Sequence, residues 1–105
     1  MVAATLAGRV AIVTGGAGGI GRAYCLGLGL RGCMVVPADI SDPQPVVDEI
    51  VAAGGRAFGL RVDVSDQRST EEMARSVLDS FGRVDVLINN AAYYLTLTQG
   101  PFEDI

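Results

Sequence analysis

The stretch that most constrains this chain is Val10-Ala11-Ile12-Val13-Thr14-Gly15-Gly16-Ala17-Gly18-Gly19-Ile20-Gly21-Arg22. Its first four residues are apolar and read as a short buried strand. A run of glycines reads as a tight turn, and the apolar segment after it as a helix. That order makes an anion site. The first turn of a helix carries N–H groups with no partner inside the helix, and a partial positive charge. Glycines let the chain turn with φ > 0 and let the backbone approach a diphosphate with no Cβ in the way. A glycine run by itself also marks ordinary turns. Here the strand before it and the helix after it supply the context that a phosphate-binding turn requires.

The rest of the chain continues the alternation. The first strand covers residues 10–14, and the first helix runs from residue 19 to about 31, stopped by Gly32. Gly27 and Gly29 weaken that helix by about 1 kcal/mol each relative to alanine, or let it lie close on the sheet. Residues 33–38 form the second strand. Pro37 has no N–H for a ladder, which places it near the strand's end or at a bulge. Ser41 or Asp42 caps the second helix, with Pro43 at its first position and Val47, Ile50 and Val51 as its buried stripe. Gly54-Gly55 ends it. The third strand spans residues 56–63.

The third helix starts after Ser65, or later if Ser69 and Glu72 form a capping box. It ends near Phe81-Gly82, and Met73, Ala74, Val77, Leu78 and Phe81 share its apolar face. Residues 84–89 make the fourth strand, and Val86-Leu87-Ile88 reads as buried on both faces, the habit of a central parallel strand. The segment after Asn90, with Tyr93 and Tyr94, reads as a loop, and Pro101 as the start of another helix. The pattern implies an α/β fold: a doubly wound parallel sheet of order 3-2-1-4 with right-handed crossovers. Its switch point lies between the first and fourth strands. The glycine turn and Asn89-Asn90 are the two walls of the crevice there.

Composition removes several alternatives. The chain has 105 residues, enough for one domain over 1–105, and half of them are hydrophobic. A net charge of −4 argues against a nucleic-acid surface. No apolar run reaches the roughly 18 residues of a membrane span, so no membrane partner is expected. The first residues lack the basic segment of a secretory leader. Cys25 and Cys33 read as small buried thiols in a reducing, cytoplasmic compartment. The chain contains no histidine, which removes Ser-His-Asp and Cys-His catalysis and most zinc sites. No metal is expected.

Further residues fit a dinucleotide. Asp39 lies 24 positions after Gly15, at the end of the next strand. An acid there can accept hydrogen bonds from both hydroxyls of an adenosine ribose. It repels a 2′-phosphate, and Gly18 and Ile40 supply no base to neutralise one. The plainer reading of Asp39, a helix cap or loop acid, is the lesser alternative. Asp63 can meet an adenine amino group, or simply cap the turn before Ser65. Asn89 and Asn90 suit the crevice or plain strand-end turn chemistry. Tyr24 reads as helix packing. Tyr93 and Tyr94 line a substrate entrance or cover the core.

Four motifs, in order, resemble the N-terminal part of the short-chain dehydrogenases/reductases. Thr14-Gly15-Gly16-Ala17-Gly18-Gly19-Ile20-Gly21 is similar to TGxxxGxG. Asp39 resembles the acid of NAD-preferring members, followed here by Ile40. Asp63-Val64-Ser65 resembles the adenine-site segment. Asn89-Asn90-Ala91-Ala92 resembles NNAG with alanine last, and residues 84–88 before it are also family-like. The resemblance covers residues 7–105. It implies a Rossmann-type fold truncated after the fourth strand. It also implies a cofactor site of Gly15, Ala17, Gly18, Gly19, Ile20, Gly21, Asp39, Ile40, Asp63, Val64, Asn90 and Ala91. Gly15, Gly18 and Ile20 would meet the diphosphate and neighbouring ribose. Asn90 and Ala91 would lie by the sugars, and Asn89 would tie the central sheet. The cofactor it implies is NAD, with NADP less favoured. Pro37, Gly27, Gly29 and Ala92 depart from the family pattern.

The family's catalytic serine, its Tyr-x-x-x-Lys pair and its catalytic asparagine follow the NNAG segment. Ile105 comes before any of them, and the sequence contains no lysine. The resemblance therefore implies an NAD-dependent oxidoreductase acting on an alcohol or carbonyl. This chain would hold the cofactor-binding half, with no catalytic residue and no turnover of its own. The alternative is a non-catalytic nucleotide-binding or interaction module. The exposed fourth strand is expected to drive self-association, or to take a partner that supplies the missing strand.

Overall fold

The computed structural model describes residues 6–91. In chain order the elements are β1 (Val10–Thr14), α1 (Gly19–Leu30), β2 (Met34–Asp39), α2 (Gln44–Ala52), β3 (Arg56–Ala57), β4 (Leu60–Arg61), α3 (Gln67–Phe81) and β5 (Val86–Asn89). All strand pairings are parallel, and the sheet order is β3-β2-β1-β5 with β4 also on β2. β3 and β4 keep one register against β2, Met34 opposite Arg56 and Ala38 opposite Leu60. They are two halves of one strand position. The doubly wound order 3-2-1-4 is therefore present, with its third strand split.

Pro37 explains the split. It lies inside β2, fully buried and in register with Val13, and not at a strand end or bulge as expected. On the outer side of β2, the Val35 carbonyl accepts the Phe58 N–H at 2.9 Å and the Asp39 carbonyl accepts the Val62 N–H at 2.9 Å. Alternation along the strand makes Pro37 the residue between them on that side. The missing N–H thus falls where β3 stops and β4 has yet to start, at Phe58-Gly59. The side of β2 facing β1 keeps its full ladder.

The sheet divides the core into two layers. Ala11, Val13, Val35 and Cys33 point to the face covered by α1 and α2, where Cys25, Val46 and Ile50 meet them. Val10, Ile12, Val36 and Ala38 point to the other face, packed by Met73 and Val77 of α3 together with Val62. Gly29 brings α1 against α2, since a Cβ there would lie 3.1 Å from Ile50 Cγ2. Both cysteines are buried and reduced, and burial lifts the Cys25 thiol to about 12. Across this layer Arg22 of α1 pairs with Glu49 of α2, one bond of the fork running from Nε to Oε1 at 2.8 Å.

Several helical details differ from expectation. α2 begins at Gln44, with Pro43 at its N-cap and not at its first position, while Asp42, one of the two expected caps, accepts the Gln44 N–H at 3.0 Å. Its buried residues are Val46, Val47 and Ile50, while Val51 is exposed. α3 is capped by Asp66, which accepts the Arg68 N–H at 3.0 Å, so Ser69 lies inside the first turn. Met73 and Val77 are buried on α3 but Leu78 is 49% exposed. β5 is not covered on both faces. Val86 and Ile88 pack on the α1/α2 layer, whereas Leu87 is 54% exposed. α3 packs against β1, β2 and β4, and no described element reaches over β5 on that side. Ala92, Tyr93, Tyr94 and the helix expected at Pro101 lie outside the described residues.

Candidate functional site

Parallel pairing brings the carboxyl ends of β1, β2 and β5 to one edge of the sheet. A cleft of about 420 Å³ opens there, lined by Gly15, Gly18, Gly19, Ile20, Asp39, Ile40, Val62, Val64, Asn90 and Ala91. This is where a doubly wound sheet places its ligand crevice.

The floor is a knot of hydrogen bonds around Thr14. This side chain is 2% exposed. Its hydroxyl donates to the Ile88 carbonyl at 3.3 Å and accepts the backbone N–H groups of Asn90 at 3.1 Å and Ala91 at 3.3 Å. The Asn90 side-chain amide donates to the Gly15 carbonyl at 3.2 Å. Together they fasten the end of β5 to the glycine turn. Asn89, expected to tie the sheet, is the exposed last residue of β5. Alternation puts its side chain on the open face with Leu87, and the tie comes from Thr14 and Asn90.

The glycines of the turn divide by what surrounds them. Gly15 has φ +68, and a Cβ there would lie 2.9 Å from the Asn90 amide nitrogen. A Cβ on Gly21 would sit 2.0 Å from the Gly15 carbonyl oxygen. These two positions let α1 and the Asn90 turn close on each other. Gly18 and Gly19 have nothing within 4 Å of a Cβ position, because they face the open cleft.

Gly18 is the N-cap of α1, makes no side-chain cap, and is followed by no acid in the first turn. The Arg22 N–H already reaches the Gly18 carbonyl at 3.2 Å. The N–H groups of Gly19, Ile20 and Gly21 are therefore the helix-start donors with no intrahelical acceptor. Uncapped donors, a partial positive charge and no Cβ in the way suit an anion.

Asp39 stands at the end of β2. One carboxylate oxygen accepts the Ala17 N–H at 3.0 Å and the other accepts the Ser41 N–H at 2.9 Å. The acid thus holds the glycine turn to β2. Each of its oxygens keeps a further lone pair for a ligand. Ile20 and Ile40, 67% and 61% exposed, are large apolar side chains left bare along the cleft, suited to flat rings and sugar faces.

Nine of the residues expected at the site line this cleft: Gly15, Gly18, Gly19, Ile20, Asp39, Ile40, Val64, Asn90 and Ala91. Three do not. Ala17 offers its N–H to Asp39, and Gly21 packs beneath Gly15. Asp63 lies in an adjoining notch of about 210 Å³ with Ile40, Arg61, Val62 and Ser69. There its N–H donates to Ser69 Oγ at 2.9 Å, and its carboxylate accepts the Ser65 N–H at 3.0 Å and the Ser65 hydroxyl at 2.7 Å. These are the bonds of a turn before a helix. Val62 lines the cleft and was not anticipated, nor was the role of Thr14. A threonine ending a buried strand just before a glycine turn is the sequence signal that could have found it. Tyr24, expected to pack, is 46% exposed on α1.

Among the described residues, no group of three or more His, Cys, Asp or Glu side chains could hold a metal ion. No described helix is long and apolar enough to cross a membrane.

A parallel sheet crossed by helices on both faces, with a glycine-turn cleft at its switch point, defines a Rossmann-type α/β protein. Residues 9–105 match the family model for short chain dehydrogenase. The chain belongs to the short-chain dehydrogenase/reductase family. It is 46% identical over 84 residues to the peroxisomal hydratase-dehydrogenase-epimerase of Neurospora crassa, an alignment covering 80% of this chain and 9% of that protein. It is 38% identical to the 7alpha-hydroxysteroid dehydrogenase of Escherichia coli, covering 82% of this chain and 34% of the enzyme. Among solved structures, a metagenomic short-chain oxidoreductase in complex with NADP superposes with a TM-score of 0.82 at 42% identity, covering 85% of this chain and 41% of that one. The chain thus spans well under half the length of these relatives.

Proposed function

We propose that this chain is the cofactor-holding part of an oxidoreductase, and that its cleft takes NAD in preference to NADP. The observation that carries the reading is the Asp39 carboxylate, fixed by two backbone N–H groups at the rim of a cleft whose other wall is an uncapped helix start. The N–H groups of Gly19 and Ile20 bind the diphosphate. Asp39 accepts from the adenosine ribose hydroxyls and disfavours a 2′-phosphate by like charge. Ile40, Val62 and Val64 give the adenine an apolar seat, with Asp63 at its margin. Asn90 and Ala91 border the sugar on the nicotinamide side, near Ile20. When bound, the nicotinamide ring accepts or gives a hydride.

The substrate of the whole protein is a small alcohol or carbonyl compound. Such a reaction needs a partner for the hydroxyl proton. The sequence holds neither lysine nor histidine, so this chain binds and orients the cofactor and has no turnover alone. Its β5 edge, unpaired among the described residues, makes it self-associate.

Titration with NAD and NADP tests the cofactor assignment. The parent chain is expected to bind NAD more tightly. Asp39→Ala combined with Ile40→Arg should move the preference toward NADP. Equal or tighter NADP binding by the parent would refute the role given to Asp39. NAD reduction with common alcohols would refute the claim of no turnover.

A further inference from the structure

Asp39 and Arg61 are direct partners in the register between β2 and β4. Side chains of registered residues on neighbouring strands stand on the same face of the sheet. Opposite charges placed this way would ordinarily join, yet these two form no ion pair. Both oxygens of Asp39 are held by backbone N–H groups, of Ala17 and Ser41. Arg61 turns one guanidinium nitrogen, Nη1, to the Ile40 carbonyl at 3.2 Å. A guanidinium has five N–H donors, and Arg61 is exposed, so most of its donors face solvent.

The position of this cation matters. Ile40 and Val62 line both the cleft and the notch that holds Arg61. Of the residues lining the two, Arg61 alone is cationic. The glycine turn contributes no base, and position 40 is isoleucine. Three other arginines are directed elsewhere: Arg22 to Glu49, Arg31 to the Gly27 carbonyl, and Arg83 to Asp85.

We propose that Arg61 is the residue that decides whether a 2′-phosphate on the adenosine ribose is tolerated, by exchanging its bond to the Ile40 carbonyl for a forked contact with that phosphate. The inference rests on the dinucleotide reading above. The planar fork of a guanidinium matches phosphate oxygens two at a time. Asp39 keeps NAD the first choice, and Arg61 across the strand gives NADP measurable binding behind it. Neutralising Asp39 removes the repulsion and leaves Arg61 in control.

The test is calorimetric titration of NAD and NADP against four proteins: the parent chain, Arg61→Gln, Asp39→Asn, and the double variant. Arg61→Gln should weaken NADP by about tenfold, the scale of one lost hydrogen bond to a charged group, and leave NAD within about twofold. Asp39→Asn should narrow the gap between the cofactors, and the double variant should lose that gain. Arg61→Lys, which keeps the charge without the fork, should retain part of the NADP binding. Equal weakening of NAD and NADP by Arg61→Gln would overturn the proposal, since Arg61 would then only hold the Ile40 turn. So would a double variant that keeps the full gain of Asp39→Asn. If the parent binds neither cofactor, the dinucleotide reading itself falls. Selective failure of the Arg61 variants leaves that reading standing.

Discussion

The Thr14 hydroxyl accepts the backbone N–H of Asn90 at 3.1 Å, joining the last residue of β1 to the turn after β5. These residues are 76 apart in sequence, and the bond closes the floor of the cleft. The same oxygen accepts from Ala91 and donates to Ile88. Thr14→Val keeps the shape and removes all three contacts. It leaves three part-buried backbone groups without that partner, and because solvent can reach them the summed loss is about 1–3 kcal/mol. Urea unfolding should show a destabilisation in that range, with weaker nucleotide binding. Thr14→Ser should recover most of both. A Thr14→Val protein as stable as the parent would show that water replaces the hydroxyl without loss.

Two glycines of one turn should respond in opposite ways. Gly21→Ala puts a methyl 2.0 Å from the Gly15 carbonyl oxygen. Backbone lies on both sides, so the cost exceeds the roughly 1–3 kcal/mol of ordinary overpacking, and the variant should melt early or fail to fold. Gly18→Ala meets nothing within 4 Å, and its φ of −167 suits any residue. Its unfolding free energy should fall by about 1 kcal/mol or less, in keeping with the weaker capping of alanine. Its affinity for NAD should fall because the methyl stands in the cleft. Thermal melts and titration separate the two effects. Loss of folding in Gly18→Ala would contradict the division.

Asp85 predicts an acid limb. Its carboxylate accepts the Val10 N–H at 2.8 Å and a forked pair from Arg83 at 2.8 and 2.7 Å, while its own N–H donates to the Val10 carbonyl at 2.9 Å. The Arg83 bond, then the Val10 N–H, hold the carboxyl below its ordinary range. The folded state therefore releases this proton more readily than the unfolded chain, whose Asp titrates near 3.9. The stabilisation is fully present above about pH 4 and is lost as pH falls through the lowered folded value. Asp85→Asn should flatten the pH dependence of the urea midpoint below pH 4. Parallel curves for variant and parent would remove Asp85 as the cause.

The β5 edge should drive association. Among the described residues β5 pairs with β1 on one side and with no strand on the other, and Leu87 on it is half-exposed. An apolar strand with a free edge is a template for another strand. Sedimentation of the chain should show weight-average mass rising with concentration. Leu87→Lys, a charge of the kind that protects natural edges, should suppress the rise. A parent chain that stays monomeric at high concentration would defeat the argument.

Some of this protein was readable residue by residue. The strand, glycine turn and helix from Val10 to Leu30 follow from short-range causes, namely apolar periodicity and glycine's freedom at positive φ. The same causes place Asp39 at the end of the second strand and Asn90 at the end of the last. Parallel order follows from the alternation of elements, because a right-handed crossover leaves few other routes. Hence most of the expected cleft residues do line the cleft.

What the tertiary structure alone decided depends on which group faces which neighbour. Pro37 splits the third strand because pairing turned its nitrogen outward, away from β1; the reverse orientation would have broken the β1–β2 ladder. Asp63 holds the turn before α3 because Ser65 and Ser69 came within reach of it. Val51, Leu78 and Leu87 are apolar yet exposed, since periodicity marks a face but not whether an element packs on it. Thr14 became the keystone of the floor only when β5, more than 70 residues later, settled beside β1. Local sterics are written in adjacent residues. Facing, register and cover arise between segments distant in the chain, so they were fixed only when the sheet assembled.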